Sequence, residues 1–163
     1  MPSKSLQLQI RVTRAQKESL RRRARAAGLD VSAYVLSRAL PPADVRFAAI
    51  LGSIQKTDGG RAAFAELSDF LSALTPAEFS DAVREASLVR FPPLLQNMVA
   101  AMVELAAAQR SVAPPEWTAD VEPLATPWFA TPMASLRLYL LQASPVAFKR
   151  RNLFVDASVG DRV

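Results

Sequence analysis

The run Leu6-Gln7-Leu8-Gln9-Ile10-Arg11-Val12-Thr13 alternates apolar and polar residues without a break. Period two marks a strand with two unlike faces, because successive side chains of an extended chain point to opposite sides. Leu8, Ile10 and Val12 share one side; Gln7, Gln9 and Arg11 share the other. The sequence that follows reads as helix, so this strand has no neighbouring strand to pair with. A lone strand would leave its backbone donors and acceptors open and its apolar face wet. The same segment of a second chain would cure both faults, and the pattern therefore predicts a homodimer.

Two helices follow the strand. Thr13 with Gln16 three residues on forms a capping box that starts the first, expected over Arg14 to Ala27. Its apolar stripe is narrow (Ala15, Leu20, Ala24, Ala27), and Arg14, Lys17, Arg21, Arg22, Arg23 and Arg25 fill most of the rest. Gly28 suits a left-handed helix stop. Asp30 caps the second helix, expected over Val31 to Leu40, and Pro41-Pro42 closes it.

Charge is concentrated in the same stretch. Residues 1–40 hold nine Lys or Arg against Glu18 and Asp30, a balance of +7, whereas the rest of the chain holds eleven basic and thirteen acidic residues. Such an uneven field points to a polyanion, most simply nucleic acid, although a solvated basic face would look the same. Glutamine and arginine on the outer face of the strand sharpen the choice. Gln pairs bidentately with adenine and Arg with guanine in the major groove.

These forty residues resemble the ribbon-helix-helix family of the Arc/MetJ/CopG type, through the strand Gln7 to Val12, the capped helix after Thr13, and Gly28-Leu29-Asp30-Val31-Ser32-Ala33 at the turn between helices. The resemblance implies an antiparallel two-chain ribbon lying in the major groove of an operator, with Gln7, Gln9 and Arg11 touching bases. It implies phosphate contacts from the Val31 and Ser32 amides at the second helix N-terminus, and Arg14 lies close enough to the strand to join them. The dimer core would be built from Leu8, Ile10, Val12, Leu20, Tyr34 and Val35.

Beyond Pro42 the pattern is helical. Asp44 is placed to cap a helix carrying Val45, Phe47, Ile50, Leu51 and Ile54; residues 56–60 form a loop; Arg61 to Leu74 is helical. Thr75-Pro76-Ala77-Glu78 starts a helix carrying Phe79, Val83 and Ala86. Pro92-Pro93 opens a longer helix to about Ala108, apolar over more than half its circumference and so expected at the centre of a second domain. The Pro-rich stretch around Trp117, Trp128 and Phe129 reads as an extended arm, either a partner groove or packed on its own helices. Met133 to Gln142 is a short helix, and Leu153-Phe154-Val155 a possible strand. The triplet Lys149-Arg150-Arg151 is a second candidate nucleic-acid contact, weighed against a solvated turn or a clamp on acidic residues of a partner.

The expected fold class is therefore mainly α: a ribbon-helix-helix domain over 1–41, then a helical protein-interaction or oligomerisation domain over 42–163. With no cysteine and no histidine, disulfides, Cys/His metal sites, thiol catalysis and histidine base chemistry are excluded. No nucleotide-binding glycine motif occurs. An enzymatic role and a cofactor are accordingly not expected. No apolar run reaches the ~18 residues of a membrane span, and the N-terminus runs straight into the strand, so a cytoplasmic protein without signal peptide or membrane contact is expected. The resemblance suggests a sequence-specific repressor, the antitoxin or autoregulator of a toxin–antitoxin pair, binding operator DNA as a dimer and a cognate toxin through its C-terminal domain. Two alternatives stand beside it: an accessory DNA-binding protein of plasmid maintenance or DNA transfer, and a dimerisation scaffold that binds no DNA.

Overall fold

A computed structural model describes residues 9–39 and 41–156. The chain divides into two compact units, residues 1–42 and 43–163. It is mainly helical, with one two-stranded sheet among the described residues.

In the first unit, α1 (Arg14–Ala26) packs against α2 (Val31–Ala39). Thr13 caps α1 as its sequence requires: the Gln16 amide donates to Thr13 Oγ1 at 3.3 Å and the Thr13 amide donates to Gln16 Oε1 at 2.9 Å. The helix ends in a Schellman turn, the Leu29 amide donating to the Ala24 carbonyl and the Gly28 amide to that of Arg25. Gly28 adopts φ +68°, a conformation that only glycine takes without strain. Asp30 then caps α2, its Oδ1 accepting from the Ala33 amide at 2.8 Å. Residues 9–13 form no strand in the single chain. The physical reason is the one their pattern gives: a ladder needs a second strand, and the described residues of this unit supply none.

The second unit is a helical core around one central helix. It comprises α3 (Ala43–Lys56), α4 (Arg61–Ala73), α5 (Pro76–Ala82), α6 (Pro93–Gln109), α7 (Ala134–Ala143) and α8 (Val146–Lys149). Strands β1 (Trp128–Phe129) and β2 (Leu153–Phe154) pair in parallel, Trp128 opposite Leu153. The start signals explain most boundaries. Thr75 and Glu78 complete a capping box on α5, with Pro76 in the first turn; Pro92 and Pro93 open α6. Asp44 does not cap α3. The helix begins one residue earlier at Ala43, and Asp44 sits in its first turn, where a carboxylate still favours the helix dipole. α5 stops at Ala82 with Val83 as its C-cap, so Ala86 lies beyond it.

α6 is the hub. Leu95, Val99, Ala101, Met102, Val103 and Ala106 are buried in one cluster with Phe47, Leu67, Phe79 and Phe148 from the surrounding helices. The Pro-rich segment folds back onto this core. Trp117 Nε1 donates to the Val83 carbonyl at 2.9 Å, and Trp128 packs against the same cluster. Its one regular piece beyond a 3-10 turn (Glu116–Thr118) is β1, paired with the strand foreseen at Leu153. Phe129 stacks on Phe154 with ring centres 4.9 Å apart.

Candidate nucleic-acid interface

The capped start of α1 places the strand residues and the basic helix in one short segment. Gln9, Ile10, Arg11 and Val12 are all exposed in the single chain, and Arg14, next after the cap Thr13, takes the first position of α1. Gln7 and Leu8 lie outside the described residues. Arg14 makes only a loose exposed pair with Glu18, Nε to Oε1 at 3.4 Å. Its guanidinium therefore remains largely available to another anion, because a solvated i,i+4 pair is worth only a few tenths of a kcal/mol. Arg21, Arg22, Arg23 and Arg25 are exposed as well, and at 100° per residue they encircle the helix.

The apolar residues of this unit are unevenly covered. Tyr34 and Ala24 are buried, Leu20 and Val35 half-buried, and Ile10 keeps 61% of its surface in water. Leu29 and Leu36 are also exposed. The Arg38 guanidinium lies over the Tyr34 ring, 5.7 Å from its centre. A unit this small with so little enclosed side-chain volume cannot draw much stability from its own core.

The N-terminus of α2 offers amides. Val31 and Ser32 begin the helix, where no intrahelical carbonyl can accept from them. Asp30 takes the Ala33 amide for its own cap and leaves those two.

The basic triplet near the C-terminus divides three ways. Arg150 is exposed. Lys149 Nζ donates to the Gln142 carbonyl at 2.8 Å. Arg151 is buried: Nη2 meets Glu104 Oε1 at 2.5 Å, Nε meets Oε2 at 3.2 Å, and further bonds reach Asn97 Oδ1 and the Val121 and Thr118 carbonyls. Its clamp on an acid is internal, to α6 of its own unit, and the guanidinium is closed to nucleic acid. Nothing in the local sequence separates Arg151 from its two neighbours; only the partner Glu104, distant in sequence, does.

In the second unit, an open cleft of about 510 Å³ is lined by Arg46, Arg61, Glu66, Asp69 and Phe70. Its cations and carboxylates are mixed, and Arg46 is already laid over the Phe70 ring. Among the described residues no group of acidic side chains is arranged to hold a metal, and no helix is long and apolar enough to cross a membrane.

No curated protein and no solved structure gives a significant match to the chain. Residues 3–42 match the NikA-like family, described as mobilization protein NikA, and the match ends where the first unit ends.

Proposed function

We propose that this chain is an accessory DNA-binding protein of DNA mobilization, with residues 1–42 as its DNA-binding and dimerisation domain and residues 43–163 as a protein-interaction module. One observation carries the reading: the segment similar to a mobilization protein is the same compact unit that holds the +7 charge and presents Gln9, Arg11 and Arg14 together. A toxin-capture reading rests on the first quarter of the chain alone, and the family description favours mobilization over it.

The mechanism follows from the two faces of the strand. Ile10 and Val12, exposed in one chain, are covered when two strands pair with Leu8 alongside them. Tyr34, Leu20 and Val35 back the ribbon from the helices. Pairing turns Gln7, Gln9 and Arg11 of both chains outward onto base edges in the major groove. The Val31 and Ser32 amides and Arg14 hold the flanking phosphates and fix the register, while the remaining arginines of α1 add charge without sequence preference. A two-fold protein reads a two-fold or repeated site, so the recognised DNA carries two half-sites.

Selection from a pool of random duplexes gives the recognised site. Deleting the gene is then expected to lower transfer of DNA that carries this site, with transcription of the gene itself unchanged. Unchanged transfer together with derepressed transcription would overturn the proposal in favour of a repressor.

A further inference from the structure

The cations of α1 are not spread evenly round the helix. Arg14, Arg21, Arg22 and Arg25 fall within an arc of about 100°, on the side opposite the half-buried Leu20, while Arg23 takes another side. All four are exposed. One acid stands among them, Glu18, and it is paired with Arg14, Nε to Oε1 at 3.4 Å. Among the described residues no other ion pair occurs in this unit, so Arg21, Arg22 and Arg25 stand outside any. Their crowding works against the helix. Arg21 and Arg25 are four residues apart and Arg22 and Arg25 three, spacings at which like charges destabilise. The helix dipole favours Arg25 in the last turn, but it does nothing for Arg21 and Arg22. The fold gains nothing from this arrangement, and a line of cations on one helix face is the footprint of a polyanion.

We propose that Arg21, Arg22 and Arg25 form a second DNA contact, a track for backbone phosphates outside the site read by the ribbon. It rests on the DNA-binding reading above. Distance separates the two contacts. Arg14 adjoins the strand, whereas Arg25 lies eleven residues on, about 16 Å along the helix axis at 1.5 Å per residue. That distance is about five phosphate steps of a DNA strand. The three arginines therefore meet phosphates that flank the site rather than those Arg14 holds. Glu18 stands between the two groups and, by engaging Arg14, divides the stripe. Phosphates carry no sequence information, so the track adds affinity without preference. In a two-fold dimer each flank has its own track.

The test is an equilibrium titration of the full chain on two duplexes: the selected site trimmed bare, and the same site with flanks of about one helical turn, roughly ten base pairs, on each side. Wild type is expected to bind the flanked duplex several-fold more tightly. Its salt dependence there should be steeper by roughly 0.9 in log K against log salt for each added phosphate. The combined substitution Arg21→Gln, Arg22→Gln and Arg25→Gln keeps good helix formers in place. It is expected to lose several-fold more affinity on the flanked duplex than on the trimmed one. Its helical circular dichroism and its preference for the selected over a scrambled core should be retained. Arg21→Lys, Arg22→Lys and Arg25→Lys together are expected to restore the advantage of the flanks, because a phosphate accepts an ammonium as a point charge. Equal wild-type affinity for the two duplexes, an equal loss on both, or no restoration by the lysine substitutions would overturn the track and leave the ribbon's DNA binding in place. Absence of wild-type binding to either duplex would instead overturn the DNA-binding reading, and the track with it.

Discussion

Arg151 and Glu104 meet side-on inside the second unit, two nitrogens on two oxygens, although 47 residues separate them in the chain. The pair ties the segment before β2 to α6. Arg151 also takes carbonyls of Thr118 and Val121, so it organises the Pro-rich arm as well. Truncating Arg151 leaves the half-buried Glu104 without its counter-charge and the Thr118 and Val121 carbonyls without their donor, at a cost of about 3 kcal/mol, the low end for a buried pair. Arg151→Ala is therefore expected to lower unfolding free energy in urea by that amount. Arg151→Lys should recover little, since a single ammonium cannot span the carboxylate and the carbonyls together. A loss under about 1 kcal/mol for Arg151→Ala would contradict this account.

The capping box on α5 sets a pH dependence. The Thr75 hydroxyl, and then the Thr75 amide, donate to Glu78 and hold its carboxyl below the usual value. A carboxyl with a lowered pKa in the folded state stabilises at pH above its unfolded value. That contribution is lost as pH falls through the folded value. Stability measured from neutral pH down into the acid range is expected to decline less steeply in Thr75→Ala than in the wild type. At neutral pH the same variant should be about 1 kcal/mol weaker.

Two glycines separate backbone strain from steric exclusion. A Cβ at Gly28 meets nothing within 4 Å, so Gly28→Ala carries only the cost of its left-handed φ, about 1–2 kcal/mol. A Cβ at Gly59 would sit 2.5 Å from Leu95 Cδ2 and 3.2 Å from Phe64 Cε2, with φ also positive. Gly59→Ala is expected to cost more than Gly28→Ala in calorimetric unfolding. Equal costs would mean the Leu95 side chain moves aside freely.

The parts legible in the sequence were those set by neighbours along the chain. Thr13 and Gln16, Asp30, Gly28 and Thr75-Pro76-Ala77-Glu78 each fix a helix boundary within one turn, because capping is a contact between residues two to five apart. α6 was legible as a central helix because its apolar circumference leaves it no other place. The pairing of Trp128 with Leu153 was not legible, since a two-residue parallel strand has no period to read. Nor was the burial of Arg151, which depends on Glu104. At the candidate interface, the sequence names Gln9 and Arg11 by alternation, and the structure shows them exposed beside the capped α1. The proposed ribbon needs two chains, and residues 9–13 form no strand in one.

The central claim is DNA binding through Gln9 and Arg11, and an equilibrium titration of wild type and Arg11→Ala on the selected duplex, repeated over a range of salt, tests it most directly. The account predicts that wild-type affinity falls with salt, log K against log salt changing by roughly −0.9 for each phosphate neutralised. It predicts that Arg11→Ala loses ~1–3 kcal/mol and discriminates less between the selected and scrambled duplexes, while remaining folded. Binding that is absent, indifferent to salt, or unchanged in affinity and preference by Arg11→Ala would contradict it.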